Sequence, residues 1–146
     1  MLLPTEYQYF EPTLIATGVV LVVGLIGNAL SFSNRFVNAL VTAVVFAAIF
    51  GGLAFLSKGD VPTTTAHFLP PEFAWLELVL IAAGVVFFVD LIGNMLSFSS
   101  RIVNALVTAI VFAVIFGSLT YLAYKDGAPM PTISVPAPEP APAPAP

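Results

Sequence analysis

Hydrophobic positions run along this chain in four long blocks with short polar interruptions between them. Thr13 to Leu30 contains no charged residue, about 18 positions, which at 1.5 Å per residue nearly span a hydrocarbon core of roughly 30 Å. A first transmembrane helix is predicted there. Pro12 suits its opening turn, and Glu11 stands where a carboxylate favours the positive end of the helix dipole. Ser31, Phe32, Ser33, Asn34 and Arg35 form a turn too short to cross anything, so the next block, Phe36 to Leu56, has to return antiparallel beside the first. Charges and breakers from Ser57 to Pro62 end it, and a polar linker punctuated by Pro70 and Pro71 follows. A third helix is predicted from about Phe73 to Leu96 and a fourth from Ile102 to Tyr124.

The four blocks are one pair written twice. LIGNALSFSNRFVNALVTAVVFAAIFGGL, Leu25 to Leu53, recurs from Leu91 to Leu119 as LIGNMLSFSSRIVNALVTAIVFAVIFGSL. The register is constant across the copies, so that Glu77 matches Glu11, Gly84 matches Gly18, Arg101 matches Arg35 and Asp126 matches Asp60. Without an insertion, each copy should build the same hairpin in the same orientation, a parallel duplication. That differs from the inverted repeats on which many alternating-access transporters are built. The predicted fold class is therefore all-α: a polytopic membrane protein with four transmembrane helices arranged as two tandem parallel-repeat helical hairpins. Its divisions are a short N-terminal segment (1–12), a first hairpin (13–60), a polar linker (61–72), a second hairpin (73–126) and a Pro/Ala-rich tail (127–146). The alternating prolines of that tail favour extended polyproline II, read first as a spacer and second as a ligand for a Pro-recognising partner.

Composition strengthens the membrane reading. Hydrophobic residues make up 59% of the chain and charged residues 8%, against roughly 25% charged in soluble domains. A net charge of −4 with four scattered basic residues excludes nucleic acid as a partner, because phosphate binding needs clustered Lys and Arg. The absence of cysteine removes disulfides, thiolate metal sites and thiol nucleophiles. Lone His67 falls in the linker, with no second His, Cys or paired carboxylate at ligand or triad spacing, so neither enzyme chemistry, a metal nor a cofactor is expected. The acidic start MLLPTEYQYFEP lacks the basic n-region of a signal peptide, which implies that the first apolar block is retained.

Charge also divides the two ends of the helices. Glu6, Glu11, Asp60, Glu72, Glu77, Asp126 and Glu139 lie on the terminal side, with Tyr7, Tyr9, Trp75, Tyr121 and Tyr124 forming an interfacial belt, while Arg35 and Arg101 mark the hairpin side. Lys58 and Lys125 on the terminal side nearly balance the arginines. The acid-free Arg turns favour cytoplasmic hairpins with both termini outside.

In lipid, helices associate by close packing and interhelical hydrogen bonds. Ala39, Ala43, Ala47 and Gly51 recur every four residues, and Ala105, Ala109, Ala113 and Gly117 repeat the pattern, each a smooth face for another backbone; Gly18 and Gly84 are the expected counterparts. Polar residues gather towards the hairpin side: Asn28, Asn38, Thr42 and Arg35 in the first copy, Asn94, Asn104, Thr108 and Arg101 in the second. Structural roles come first for them, with Asn28 and Asn94 capping helix ends and Asn38 and Asn104 bonding between helices. A polar vestibule for water or an ion is the alternative.

Asp90 breaks the repeat, standing where the first copy has Gly24. It falls about 10 Å from the hairpin end of its helix, inside the hydrocarbon. An ionised carboxylate there costs on the order of 3 kcal/mol on insertion scales, so protonation, hydrogen bonding or a snorkelling Arg35 or Arg101 is required. Tandem hairpins with polar turns, glycines in the outer members and one buried acid resemble, in architecture, the proteolipid rotor subunits of ATP-driven proton pumps. The resemblance implies an ion-carrying carboxylate on a return helix. Asp90 is instead on an outgoing helix, and Phe36 to Leu56 and Ile102 to Tyr124 carry no acid. The expected function is an accessory or scaffolding membrane subunit whose Ala/Gly faces pack against itself or a larger complex in the lipid bilayer. The alternative is a small oligomeric pore, holin-like or a proton or cation channel, using Asp90 and the Asn/Thr faces.

Overall fold

The computed structural model describes residues 3–30, 33–57, 68–96 and 100–126. Four α-helices occupy them: α1 (Glu11–Leu30), α2 (Arg35–Ser57), α3 (Ala74–Leu96) and α4 (Arg101–Lys125), with 3-10 turns at Thr5–Phe10 and Pro71–Phe73. All four helices are long and apolar enough to cross a membrane. The tail and most of the predicted linker lie outside the described residues.

Helix starts are fixed by short polar residues placed where backbone N–H groups have no partner within the helix. Asn34 Oδ1 accepts from Phe36 N at 2.9 Å and Val37 N at 3.3 Å, and Ser100 Oγ accepts from Val103 N at 3.4 Å. The odd-numbered helices are entered differently. Leu3 N donates to Glu11 Oε1 at 2.9 Å and Leu69 N to Glu77 Oε1 at 2.7 Å. Each carboxylate thus reaches back to the chain before its helix and closes the 3-10 segment between them. Hydroxyls on the apolar helices are satisfied locally, as where Thr17 donates to the Thr13 carbonyl at 2.7 Å and Ser118 to that of Val114 at 2.6 Å.

The helices joined by the short polar turns, α1 with α2 and α3 with α4, are not the closest neighbours. α2 packs most extensively on α3, and α1 on α4, while the α1–α2 and α3–α4 contacts are sparser. The α2–α3 pair is antiparallel along its length. Phe36 meets Phe87 edge-on at 5.5 Å near the hairpin end, and Phe55 meets Trp75 at 5.4 Å near the other. α1 and α4 pair the same way: Gly24 faces Ala105, Gly117 faces Thr13, and Tyr9 stacks on Tyr124 at 4.3 Å.

The bundle axis is filled with aromatic rings. Phe46 and Phe50 on α2 stack at 5.3 Å, Phe112 and Phe116 on α4 at 5.2 Å, and Phe46 touches Phe112 across the bundle at 5.9 Å. All four are 0–1% exposed. Around them lie Ala16, Val20, Ala43, Ala82, Val86 and Ala109. The outer surface is the reverse of a soluble protein's, since Val22, Ile26, Val44, Phe88, Ile92, Ile110 and Val114 are all exposed. An apolar surface of this extent is costly in water and suited to lipid.

The small-residue ladders are used inside the chain. Ala39, Ala43 and Gly51 on α2 and Ala105, Ala109 and Gly117 on α4 are buried, with Ala47 and Ala113 half-buried. Their counterparts are not the expected glycines, because a Cβ placed on Gly18 or Gly84 would meet no atom within 4 Å. Gly51 instead faces Val79 and Gly117 faces Thr13, each with a side-chain carbon 3.4 Å from where a Cβ would stand. The close approach comes from Ala and Gly on the even helices accepting β-branched side chains from the odd ones.

Candidate functional site

Buried polar side chains form two clusters at opposite ends of the bundle. At the terminal end Thr13 and Thr120 share a hydrogen bond between hydroxyls at 3.0 Å across the α1–α4 contact, and Thr120 also donates to the Gly117 carbonyl at 3.0 Å. Nothing in the sequence singles out this pair, since lone threonines in apolar helices carry no distinctive spacing. Its hydrogen bonds are complete, and its role is to fix the register of α1 on α4.

The second cluster lies nearer the hairpin end and draws on α2, α3 and α4. Asp90 on α3 is 2% exposed, and Asn38 and Thr42 on α2 and Asn104 and Thr108 on α4 are buried as well. Asn94, one turn further along α3, donates from Nδ2 to Asp90 Oδ2 at 3.2 Å. The Thr42 side chain hydrogen-bonds the same carboxyl from α2. The spacing of four places Asn94 beside Asp90 on one helix face. It is a partner of the acid and not the helix-end cap anticipated for it; the side chain of Asn28 lies outside the described residues.

Glycines make the layer close enough for polar atoms to meet backbone. A Cβ on Gly27 would stand 3.2 Å from Thr42 Oγ1. At the equivalent position of the second copy, a Cβ on Gly93 would stand 3.3 Å from Thr108 Oγ1 and 3.1 Å from Asn104 Oδ1. The two halves therefore differ on the side where Asp90 replaces Gly24, with two side-chain oxygens from α4 over Gly93 where the first half has one over Gly27. These glycines are absent from the sequence-predicted site residues, although Gly93 lies three positions after Asp90 and so on a neighbouring part of its face.

No family of proteins, characterised protein or solved structure matches this chain. What the site can do follows from its own residues.

Arg35 and Arg101 stand exposed at the first positions of α2 and α4. The polar residues gathered at this end are thus divided: Asn38 and Thr42 are buried and Arg35 is exposed, and the same split separates Arg101 from Asn104 and Thr108. Asp90 is satisfied by an amide and a hydroxyl, not by a snorkelling guanidinium. Thr108 Oγ1 is buried with no hydrogen-bond partner among the described residues, a departure from the usual rule that buried hydroxyls are bonded. The layer can hold a carboxylate by neutral donors and present further oxygens over Gly93 on the same helix, while the Phe46–Phe112 contact fills the bundle axis.

Proposed function

We propose that the chain crosses a lipid bilayer four times as two tandem helical hairpins and serves as a non-catalytic structural subunit, associating with copies of itself or with a larger membrane complex. The observation carrying this reading is the filled axis. With Phe46, Phe50, Phe112 and Phe116 closed against one another, a single bundle offers no lumen, and its Ala/Gly ladders hold its own helices. Association with a partner then falls to the outer apolar face. A small oligomeric pore or ion-conducting protein that uses Asp90 and the Asn/Thr faces is the second reading; the buried polar layer around Asp90 favours it.

Liposome flux separates the two. Purified protein in vesicles is expected to give no more proton or potassium flux than empty vesicles, both as wild type and as Asp90→Asn. Flux in the wild type that the substitution abolishes would reject the structural reading. Orientation follows the Arg-containing turns, with hairpins cytoplasmic and termini outside. A cysteine placed at Ser33, an exposed position before α2, is expected to react with an impermeant thiol reagent only after the cells are opened.

A further inference from the structure

A buried carboxylate in an apolar bundle has to be neutralised, and the chain offers two ways to do it: a proton or a cation. The arginines are turned outward at the helix starts, so neither supplies the charge from within the layer. Protonation alone would neutralise Asp90 with the partners it already has, Thr42 and Asn94. It would leave Thr108 Oγ1, on a residue 2% exposed, without a partner among the described residues. That hydroxyl stands over Gly93, as does Asn104 Oδ1, one turn from Asp90 and on a neighbouring part of the same helix. One turn of α3 thus carries a carboxylate at Asp90 and faces neutral oxygens at Gly93, and a carboxylate with neutral oxygens is the ligand set that a hard monovalent cation requires. It is less suited to a divalent ion, whose second charge a single acid leaves uncompensated.

We infer that the layer around Asp90 binds one monovalent cation of sodium size, held by the Asp90 carboxylate with the side-chain oxygens of Thr108, Asn104 and Thr42. Gly93 is part of the site because any larger residue would occupy the space over which the α4 oxygens stand. The equivalent place in the first copy explains why there is one site per bundle: Gly24 supplies no charge, and a single hydroxyl stands over Gly27. The ion is structural. It ties α3 to α2 and α4, and the aromatic axis blocks its onward passage through the bundle.

The test is thermal unfolding of the full-length protein in detergent, in sodium chloride against choline chloride at equal ionic strength and constant pH, with binding of radioactive sodium measured by equilibrium dialysis. Sodium is expected to raise the wild-type Tm by roughly 3 °C or more and to bind once per chain. Asp90→Asn, which keeps the shape of the side chain, is expected to abolish both effects. Thr108→Val, which leaves the carboxylate in place, is expected to weaken binding about tenfold. Identical wild-type curves in sodium and choline, with stabilisation on acidification instead, would show that a proton alone neutralises the layer and overturn the inference. A sodium effect persisting in Asp90→Asn would place the ion elsewhere and overturn it equally.

Discussion

Phe46→Ala is expected to cost about 2 kcal/mol of bundle stability, the magnitude of a core cavity, measured by unfolding the purified protein with a denaturing detergent. The solvent decides the size of the effect. A helix separated from its partners in a bilayer stays in hydrocarbon, so removing the ring forfeits little transfer energy; what remains is the cavity. Truncation leaves a void on the order of 100 Å³, and at about 24 cal/mol per Å³ this gives roughly 2 kcal/mol. Phe112→Ala is expected to cost as much. The pair should be less than additive, because the rings touch at 5.9 Å and the second truncation enlarges a void that already exists. Phe88, exposed on the outer face, provides the control: its replacement by alanine is expected to stay within about 0.5 kcal/mol. Equal effects at Phe46 and Phe88 would mean that the aromatic axis does not hold the bundle.

Gly117→Leu is the second large effect, from overfilling. A Cβ at this position already reaches 3.4 Å from Thr13 Cγ2, an ordinary contact, so Gly117→Ala is expected to be tolerated. Its Cβ is directed at Thr13, and there the longer, branched side chain fits only by parting α1 from α4, which also strains the Thr13–Thr120 hydrogen bond. The cost is expected at about 1–3 kcal/mol, read as a lowered unfolding midpoint. Gly51→Leu, against Val79, should behave alike. Gly18→Leu, where nothing lies within 4 Å, should leave the midpoint unchanged. A loss at Gly18 as large as at Gly117 would contradict the packing described.

Segment length and apolar content made the helices legible from sequence, because a helix long enough for hydrocarbon needs a run of apolar residues that breakers visibly end. α1 starts at Glu11, α2 at Arg35 and α3 at Ala74, each beside its expected start, with Pro12 inside the first turn of α1. The ladders Ala39 to Gly51 and Ala105 to Gly117 were legible as close-packing faces. What they packed against was not, because Gly18 and Gly84 share the small-residue chemistry but have no neighbouring helix over them. Choosing between faces requires knowing that α2 prefers α3 to α1, a property of three-dimensional arrangement that no spacing of four encodes. Asp90 could be picked out because an acid in an apolar run is costly. Its partners Thr42 and Asn94 stood out only as members of the polar group towards the hairpin side. The role of Gly93 could not be seen, since a glycine's importance lies in what approaches it.

The alternating partnership of the helices has a consequence for assembly. Cut in the linker, each half would lose its best-packed contacts, α1 its α4 and α2 its α3, and could recover similar ones only from a second hairpin. One polypeptide carrying both hairpins replaces that encounter with an intramolecular one, at an effective concentration on the order of millimolar for a short tether. Tethering also frees the two hairpins to diverge. A dimer of identical hairpins carries the acid twice or not at all, and two carboxylates in one narrow apolar layer would each oppose the other's charge. Joined in one chain, Gly24 and Asp90 can differ, so that one copy of the repeated sequence carries an acid and the other does not.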